Sequence, residues 1–384
     1  MVTPLDREVA ARIHRHGPIS CAPVIDLALY DEDHGFYGSG AGGAGRRGDF
    51  LTSPEVGPLF GAVVARALDT WWDELGRPDP FTVIEAAAGR GMLARTVLLA
   101  EPRCAPALTY LLVERSSALR AEHGVHLPVT DPSLAFPPRA GDDDDEDAAG
   151  EGAAGTGPRV VSLAELPAFA VVGVVLANEL LDNLAFGLVE RGRDGWLEVR
   201  LSLTGDDLPL VETLVPARQS DAALADRLAP DAGPGARIPL QRAAADWLGE
   251  ALARVERGRV VVIDYASTAP ELAARPWVQW VRTYREHTPG AAPWEELGSQ
   301  DITCEVDQTQ LSLVREPDTV FDQAAFLEAH GLAELVAEGR RLWSERAHIG
   351  DLQALRARSR VAESKALVDP AGLGGFRVLQ WVVG

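Results

Sequence analysis

Cysteine is scarce: the 384 residues hold 3, Cys21, Cys104 and Cys304, odd in number, far apart and without a C-x-x-C pair. That spacing indicates neither a disulfide framework nor a cysteine zinc site, and it fits a reducing compartment. The histidine pairs His14/His16 and His123/His126 have no cysteine nearby, and no H-E-x-x-H occurs. Surface histidines and no bound metal are therefore the expectation. No run approaches the roughly 18 apolar residues of a membrane span. The opening stretch MVTPLDREVAARIH carries Asp6 and Glu8 and lacks the apolar core of a secretory signal. Internal repeats are absent. Positive charge is also short, with 36 basic against 57 acidic residues and a formal net charge of −21. Such a surface repels phosphate backbones, which argues against a nucleic-acid substrate and leaves basic peptides or protein tails as easier partners. The expectation is a cytoplasmic protein with no membrane insertion.

What is present is a globular composition, 46% hydrophobic, long enough for one large domain with additions or for two domains. The chain is organised around FTVIEAAAGRGMLARTV, Phe81 to Val97. Phe81, Val83 and Ile84 read as a buried strand ending at Glu85. Leu93, Val97 and Leu98 then recur at helical spacing. Gly89 and Gly91 lie where the period switches, so backbone N–H groups at a helix start can approach a ligand there. Glu85 is placed to hold that turn or the ligand itself. Gly89 to Ala94 also fits the dinucleotide pattern G-x-G-x-x-A. A purely structural turn is the other reading.

Taken in order, residues 1–47 open with a short amphipathic helix and end in a glycine-rich loop from Gly38 to Gly48. GDFLTSPE (Gly48, Asp49, Phe50, Leu51, Thr52, Ser53, Pro54, Glu55) precedes a helical pattern running from Val56 to Trp72. Thr52 and Glu55 suggest a capping box, and their segment could equally offer N–H groups and hydroxyls to a cofactor carboxylate. Leu108 to Glu114 reads as the second parallel strand. Its terminal Glu114 follows Ala94 by 20 residues and is placed to accept from both hydroxyls of a ribose. The acidic run Asp142 to Asp147 predicts a solvated, disordered insertion. AVVGVVLA, Ala170 to Ala177, has the continuous apolarity of a strand covered on both faces. It delivers Asn178, Glu179 and Asp182, either to a ligand or to the cap of a following helix. Residues 186–240 read as a β-rich excursion that leaves the sheet. RVVVIDY, Arg259 to Tyr265, resumes it. Residues 281–310 look loop-rich, with His287 among them. Phe321 to Ala337 looks helical, and Phe376 to Val383 looks like an antiparallel edge strand.

The motifs LYD…GFY (Leu29 to Tyr37), GDFLTSPE, Glu85…Gly89-Arg90-Gly91, Val113-Glu114-Arg115-Ser116, Asn178-Glu179…Asp182, Asp264-Tyr265 and Asp301-Ile302-Thr303 occur in this order. Together they resemble the MidA-like family of S-adenosylmethionine-dependent methyltransferases, complex I assembly-factor type protein arginine methyltransferases. The resemblance implies an α/β fold: a Rossmann-like, seven-stranded mixed-sheet class I methyltransferase with an N-terminal helical cap and an inserted β-rich subdomain. The expected divisions are a cap at 1–75, core at 76–195 with an acidic insertion at about 136–158, an insertion at 196–256, and core again at 257–384. It further implies S-adenosyl-L-methionine held by Gly48, Asp49, Thr52, Ser53, Glu55, Glu85, Gly89, Gly91 and Glu114. Asn178, Glu179 and Asp182 are the implied catalytic residues, facing an arginine of a protein substrate such as a respiratory complex I subunit. The chain departs from the family pattern at three places: Ala87 replaces the first glycine of the turn, Leu180 and Leu181 replace aromatics, and Asn183-Leu184-Ala185 replaces ALP. A non-catalytic assembly protein and an NAD-dependent oxidoreductase are the alternatives.

Overall fold

The apolar runs that stand out in the sequence become neighbouring strands. In the computed structural model, which describes residues 2–40, 52–132, 157–205, 207–285 and 288–384, the chain forms two compact units. One comprises Thr52–Asn178, Ala251–Ile263 and Asp318–Gly384; the other comprises Met1–Leu51, Glu179–Glu250 and Asp264–Pro317. Gly48, Asp49, the acidic run at 142–147 and His287 lie outside the described residues.

The first of these units is built on an eight-stranded sheet. Its order is Val129–Thr130, Arg159–Leu163, Leu108–Val113, Phe81–Ala86, Val171–Asn178, Val255–Asp264, Arg377–Val383, Thr319–Asp322. The first six run parallel. The last two pair antiparallel, Phe321 opposite Val378. Seven of the strands are those of the expected methyltransferase sheet, and the eighth is the two-residue Val129–Thr130. Strand order reverses beside Phe81–Ala86: the chain moves one way to Leu108–Val113 and the other way to Val171–Asn178. Ligands of open α/β sheets bind outside the carboxyl ends of strands at such a switch point.

Burial explains the sheet. Val83, Leu112, Val174 and Val261 are 0% exposed and share one core with Phe60, Val63, Leu93 and Val97 from the helices Pro58–Glu74 and Met92–Leu99. Each such side chain contributes roughly 1.5–3 kcal/mol by leaving water. Three adjacent strands also pass unusually close. Gly173 pairs with Thr82 on one side and Gly258 on the other. A Cβ on Gly173 would lie 1.9 Å from the Thr82 carbonyl oxygen, and one on Gly258 would lie 1.8 Å from the Gly173 carbonyl oxygen.

Two expectations about this unit are corrected. Arg377–Val383 is not the edge; Thr319–Asp322 lies outside it. Phe321 therefore belongs to a strand, and the helical pattern after it splits into Gln323–Ala329 and Leu332–Arg346 around Gly331, whose φ is 87°.

In the other unit, Pro4–His16 is a helix closed by a reciprocal Thr3/Asp6 capping box. The excursion after residue 186 is an antiparallel sheet in which Trp196–Thr204 pairs with Gly187–Arg191, Asp207–Pro216 and Ile19–Ser20. Residues 281–310 are not mainly loop. Val281–Arg285 pairs antiparallel with Thr288–Pro289 and with Asp301–Cys304, bringing Tyr284 opposite Asp301.

Candidate active site

The turn after Phe81–Ala86 is held from beneath by side chains. Ala87 and Gly89 both have φ of 54°, so Ala87 adopts the left-handed backbone that glycine takes in the family pattern. An L-residue there costs roughly 1–2 kcal/mol. Glu114, 6% exposed, uses Oε2 to accept the Gly89 N–H at 2.9 Å and Oε1 to accept the Ser116 N–H at 2.8 Å. Burial raises its pKa above the usual carboxylate value, against the pull of these hydrogen bonds. The Arg115 N–H adds a third backbone donor, so the carboxylate is rigid. Among the described residues, a Cβ built on Gly89 meets nothing within 4 Å. A fixed acid beside an uncovered backbone turn suits the ribose of an adenosine cofactor.

Gly91 does a different job. Its N–H donates to the Ala88 carbonyl at 2.8 Å, and a Cβ there would lie 3.0 Å from Leu127 Cδ1. It sits over packed side chains rather than open space. Glu85, 4% exposed, also holds the turn: its Oε2 accepts the Tyr110 hydroxyl at 2.6 Å and its carboxylate accepts the backbone N–H of Ala94. Burial pushes its pKa up to about 8, with nearby Glu114 adding to the rise. His123 was expected at the surface. Instead it is 1% exposed, with Nε2 2.8 Å from the Gly89 carbonyl oxygen and Nδ1 2.8 Å from Ser162 Oγ. The signal was present in the sequence: Leu119 and His123 lie one turn apart on the helix Ser117–His126 and Leu127 follows at the same spacing, all three buried.

The TSPE segment differs from expectation. Ser53–Val56 is a one-turn helix separated at Gly57 from Pro58–Glu74, and the Thr52 side chain makes no cap bond, so no capping box forms. Ser53 is fully buried and donates from Oγ to Gln323 Oε1 at 3.0 Å, while Glu55 is half-buried.

In the other unit, three acids and an amide assemble at the Leu181–Asn183 turn. No α-helix follows Asn178, so the helix-cap alternative fails; Leu181–Asn183 is a single 3-10 turn. Asp264, fully buried, organises it by accepting at Oδ2 the N–H groups of Leu181 at 3.0 Å and Asp182 at 3.3 Å. Burial, then the charges of Asp182 and Glu179, hold Asp264 well above the carboxylate range. Asp182, 4% exposed, accepts the Tyr265 hydroxyl at Oδ2, and its Oδ1 is buried with no hydrogen-bond partner among the described residues. Burial raises its carboxyl to about 6. Asn183 donates from Nδ2 to Asp301 Oδ1 at 3.0 Å, and its own Oδ1 lies 3.4 Å from the Tyr37 hydroxyl. Tyr30 and Tyr37 stack with centroids 5.8 Å apart. Asn178 is half-buried at its strand end; Glu179, also half-buried, has φ of 53°. Asp264, Tyr265, Asn183 and Asp301 were legible as motif positions, but not as one network.

The chain has counterparts among known proteins. Residues 63–323 match the family described as "Putative S-adenosyl-L-methionine-dependent methyltransferase". The chain resembles a "COG1565 superfamily member and likely methyl transferase" from Burkholderia thailandensis, whose crystal structure holds S-adenosyl-homocysteine. The TM-score is 0.78 and the identity 26%, over 98% of this chain and 91% of that one. It is 39% identical over 94 residues to the Drosophila melanogaster protein arginine methyltransferase NDUFAF7 homolog, covering 24% of this chain and 21% of that protein. The human mitochondrial protein arginine methyltransferase NDUFAF7 is 32% identical over 97 residues, covering 25% of this chain and 22% of that protein. These alignments span about a fifth of those relatives' length, at 21% and 22%. The dinucleotide reading of G-x-G-x-x-A falls away with these matches. Glu114→Ala is expected to weaken S-adenosylhomocysteine by roughly 1–3 kcal/mol, the cost of a lost buried hydrogen-bond partner. Calorimetry reads this, and an unchanged Kd would remove Glu114 from the cofactor site. The chain belongs to this methyltransferase family, the MidA-like group its motifs resemble, and its cofactor is S-adenosyl-L-methionine.

Proposed function

We propose that this methyltransferase acts on an arginine side chain of a protein substrate, with Glu179, Asp182 and Asn178 as the residues that receive it. The observation carrying this reading is the buried Oδ1 of Asp182, without a hydrogen-bond partner among the described residues, in a carboxylate whose other oxygen is fixed by Tyr265. An orphaned carboxylate oxygen costs free energy unless a donor arrives, and a guanidinium brings several N–H donors and a positive charge. The arginine methyltransferase relatives support the same class, as does the chain's net charge of −21, which favours a basic segment. A respiratory complex I subunit is the substrate the family resemblance implies. The reducing compartment we propose is the cytoplasm, in keeping with three buried free thiols.

S-adenosyl-L-methionine, when bound, supplies an electrophilic methyl group on a sulfonium. The chain's task is to hold a guanidinium nitrogen in line with it and to favour proton loss. With a guanidinium pKa above ~12, that loss accompanies or follows methyl attack. Asp182 pairs the guanidinium only when ionised, so turnover should rise with pH through about 6 and level off above it. Glu179 completes the charged clamp.

The test incubates the enzyme and radiolabelled cofactor with lysate from a strain lacking this protein, then maps the labelled residue. Label on arginine, lost in Glu179→Gln with S-adenosylhomocysteine affinity retained, supports the reading. Label on another residue type, or full turnover in Glu179→Gln, overturns it.

A further inference from the structure

We propose that His123 is a positioning residue of the cofactor turn: it fixes the Gly89–Arg90 peptide by its carbonyl while Glu114 fixes the Ala88–Gly89 peptide by its N–H. The tautomer follows from the partners. A carbonyl oxygen can only accept, so the ring nitrogen 2.8 Å from Gly89 O, Nε2, carries the proton. Nδ1 of the neutral ring is then bare and accepts from the Ser162 hydroxyl at 2.8 Å. Burial favours this neutral form, since the ring is 1% exposed. Ser162 lies on Arg159–Leu163, which pairs with Leu108–Val113, the strand leading to Glu114. Both grips on Gly89 are therefore referred to the same part of the sheet.

Among the described residues, no atom lies within 4 Å of a Cβ built on Gly89. Gly89 has no side chain to lock it into the core, and the two peptide groups flanking its Cα can rotate unless each is held. Glu114 alone fixes only one end. With both ends bound, the turn meets the cofactor without first being ordered, which raises affinity by lowering the entropy cost of binding. This assignment is independent of which residue type accepts the methyl group.

Three variants separate positioning from packing. Glutamine at 123 carries an amide N–H to the place of Nε2, asparagine stops at the place of Nδ1, and leucine fills the space without a donor. His123→Gln should bind S-adenosylhomocysteine within about threefold of wild type, whereas His123→Asn and His123→Leu should weaken it about tenfold or more. Measurement well below the melting temperature keeps every variant folded, so loss of stability alone leaves Kd unchanged. Wild-type affinity in His123→Asn and His123→Leu, or equal loss in all three, overturns the assignment. Nitrogen NMR of the wild-type protein tests it without a mutation. The His123 ring should show the Nε2–H tautomer at neutral pH, and its signals should shift when S-adenosylhomocysteine is added. An Nδ1–H tautomer, or no shift, overturns it.

Discussion

Asp182→Asn is expected to lower methyl transfer by about 10²–10³, the range when a charge acting on the proposed arginine substrate is removed. The substitution is isosteric and keeps an oxygen for the Tyr265 hydroxyl, so the turn built on Asp264 should survive. What changes is charge. At neutral pH the Asp182 carboxyl, titrating near about 6, is ionised beside a second buried acid. Asparagine removes that charge and can present an amide N–H toward a guanidinium that needs acceptors. The folded state should lose nothing, because a buried charge has gone, and the melting temperature should hold or rise. Single-turnover assays with radiolabelled cofactor measure the first effect, and calorimetry with S-adenosylhomocysteine checks that cofactor binding persists. Turnover within threefold of wild type would show that Asp182 does not engage the substrate.

The second large effect is on stability and its pH dependence. Glu85 has a carboxyl at about 8 in the folded protein, against an ordinary value of 4.5. Between those values the unfolded chain has lost the proton and the native chain retains it. The contribution of Glu85 is therefore fully present below about 4.5 and declines as pH rises to about 8. Glu85→Gln removes the titration while keeping an oxygen for the Ala94 N–H and a group to pair with Tyr110. The variant should match wild type near pH 5 and exceed it at pH 8, by something on the order of 2–4 kcal/mol, since each tenfold change in proton affinity corresponds to about 1.4 kcal/mol. Urea midpoints at the two pH values decide it. A constant difference between variant and wild type would mean that Glu85 stays ionised in the fold.

The sheet was legible where burial leaves no ambiguity. AVVGVVLA and RVVVIDY are apolar on both faces, and a strand covered on both sides needs no alternation to be recognised. Thr319–Asp322 was missed for the opposite reason: as an outer strand it is largely exposed, and Phe321 beside a helix-forming run imitates the helix. The strands between 281 and 304 hide behind buried polar residues such as Thr283, Asp301 and Thr303, which break every hydrophobic period. The candidate site divides the same way. Glu114 and the glycine turn are read from spacing within one βαβ unit, which is local information. His123 and Asp264 act through partners 34 and 83 residues away, and no local pattern carries such distances. The Thr52/Glu55 box looked correct in sequence but lost to a sharper break at Gly57 and Pro58, where buried Glu363 accepts the Leu59 N–H at 2.9 Å instead.

The close passage of Gly173 and Gly258 limits what mutation can do to this protein. No single-base change in a glycine codon yields another amino acid without a Cβ. Every missense change at either position therefore drives a carbon into a neighbouring carbonyl, at a separation of 1.9 or 1.8 Å before relaxation. The strands must part, and the strand affected by both is Val171–Asn178, which ends one residue before Glu179. The Leu180 to Ala185 segment and Ala87 depart from the family pattern, yet these two glycines, neither assigned a chemical role, have no replacement that the strand spacing admits.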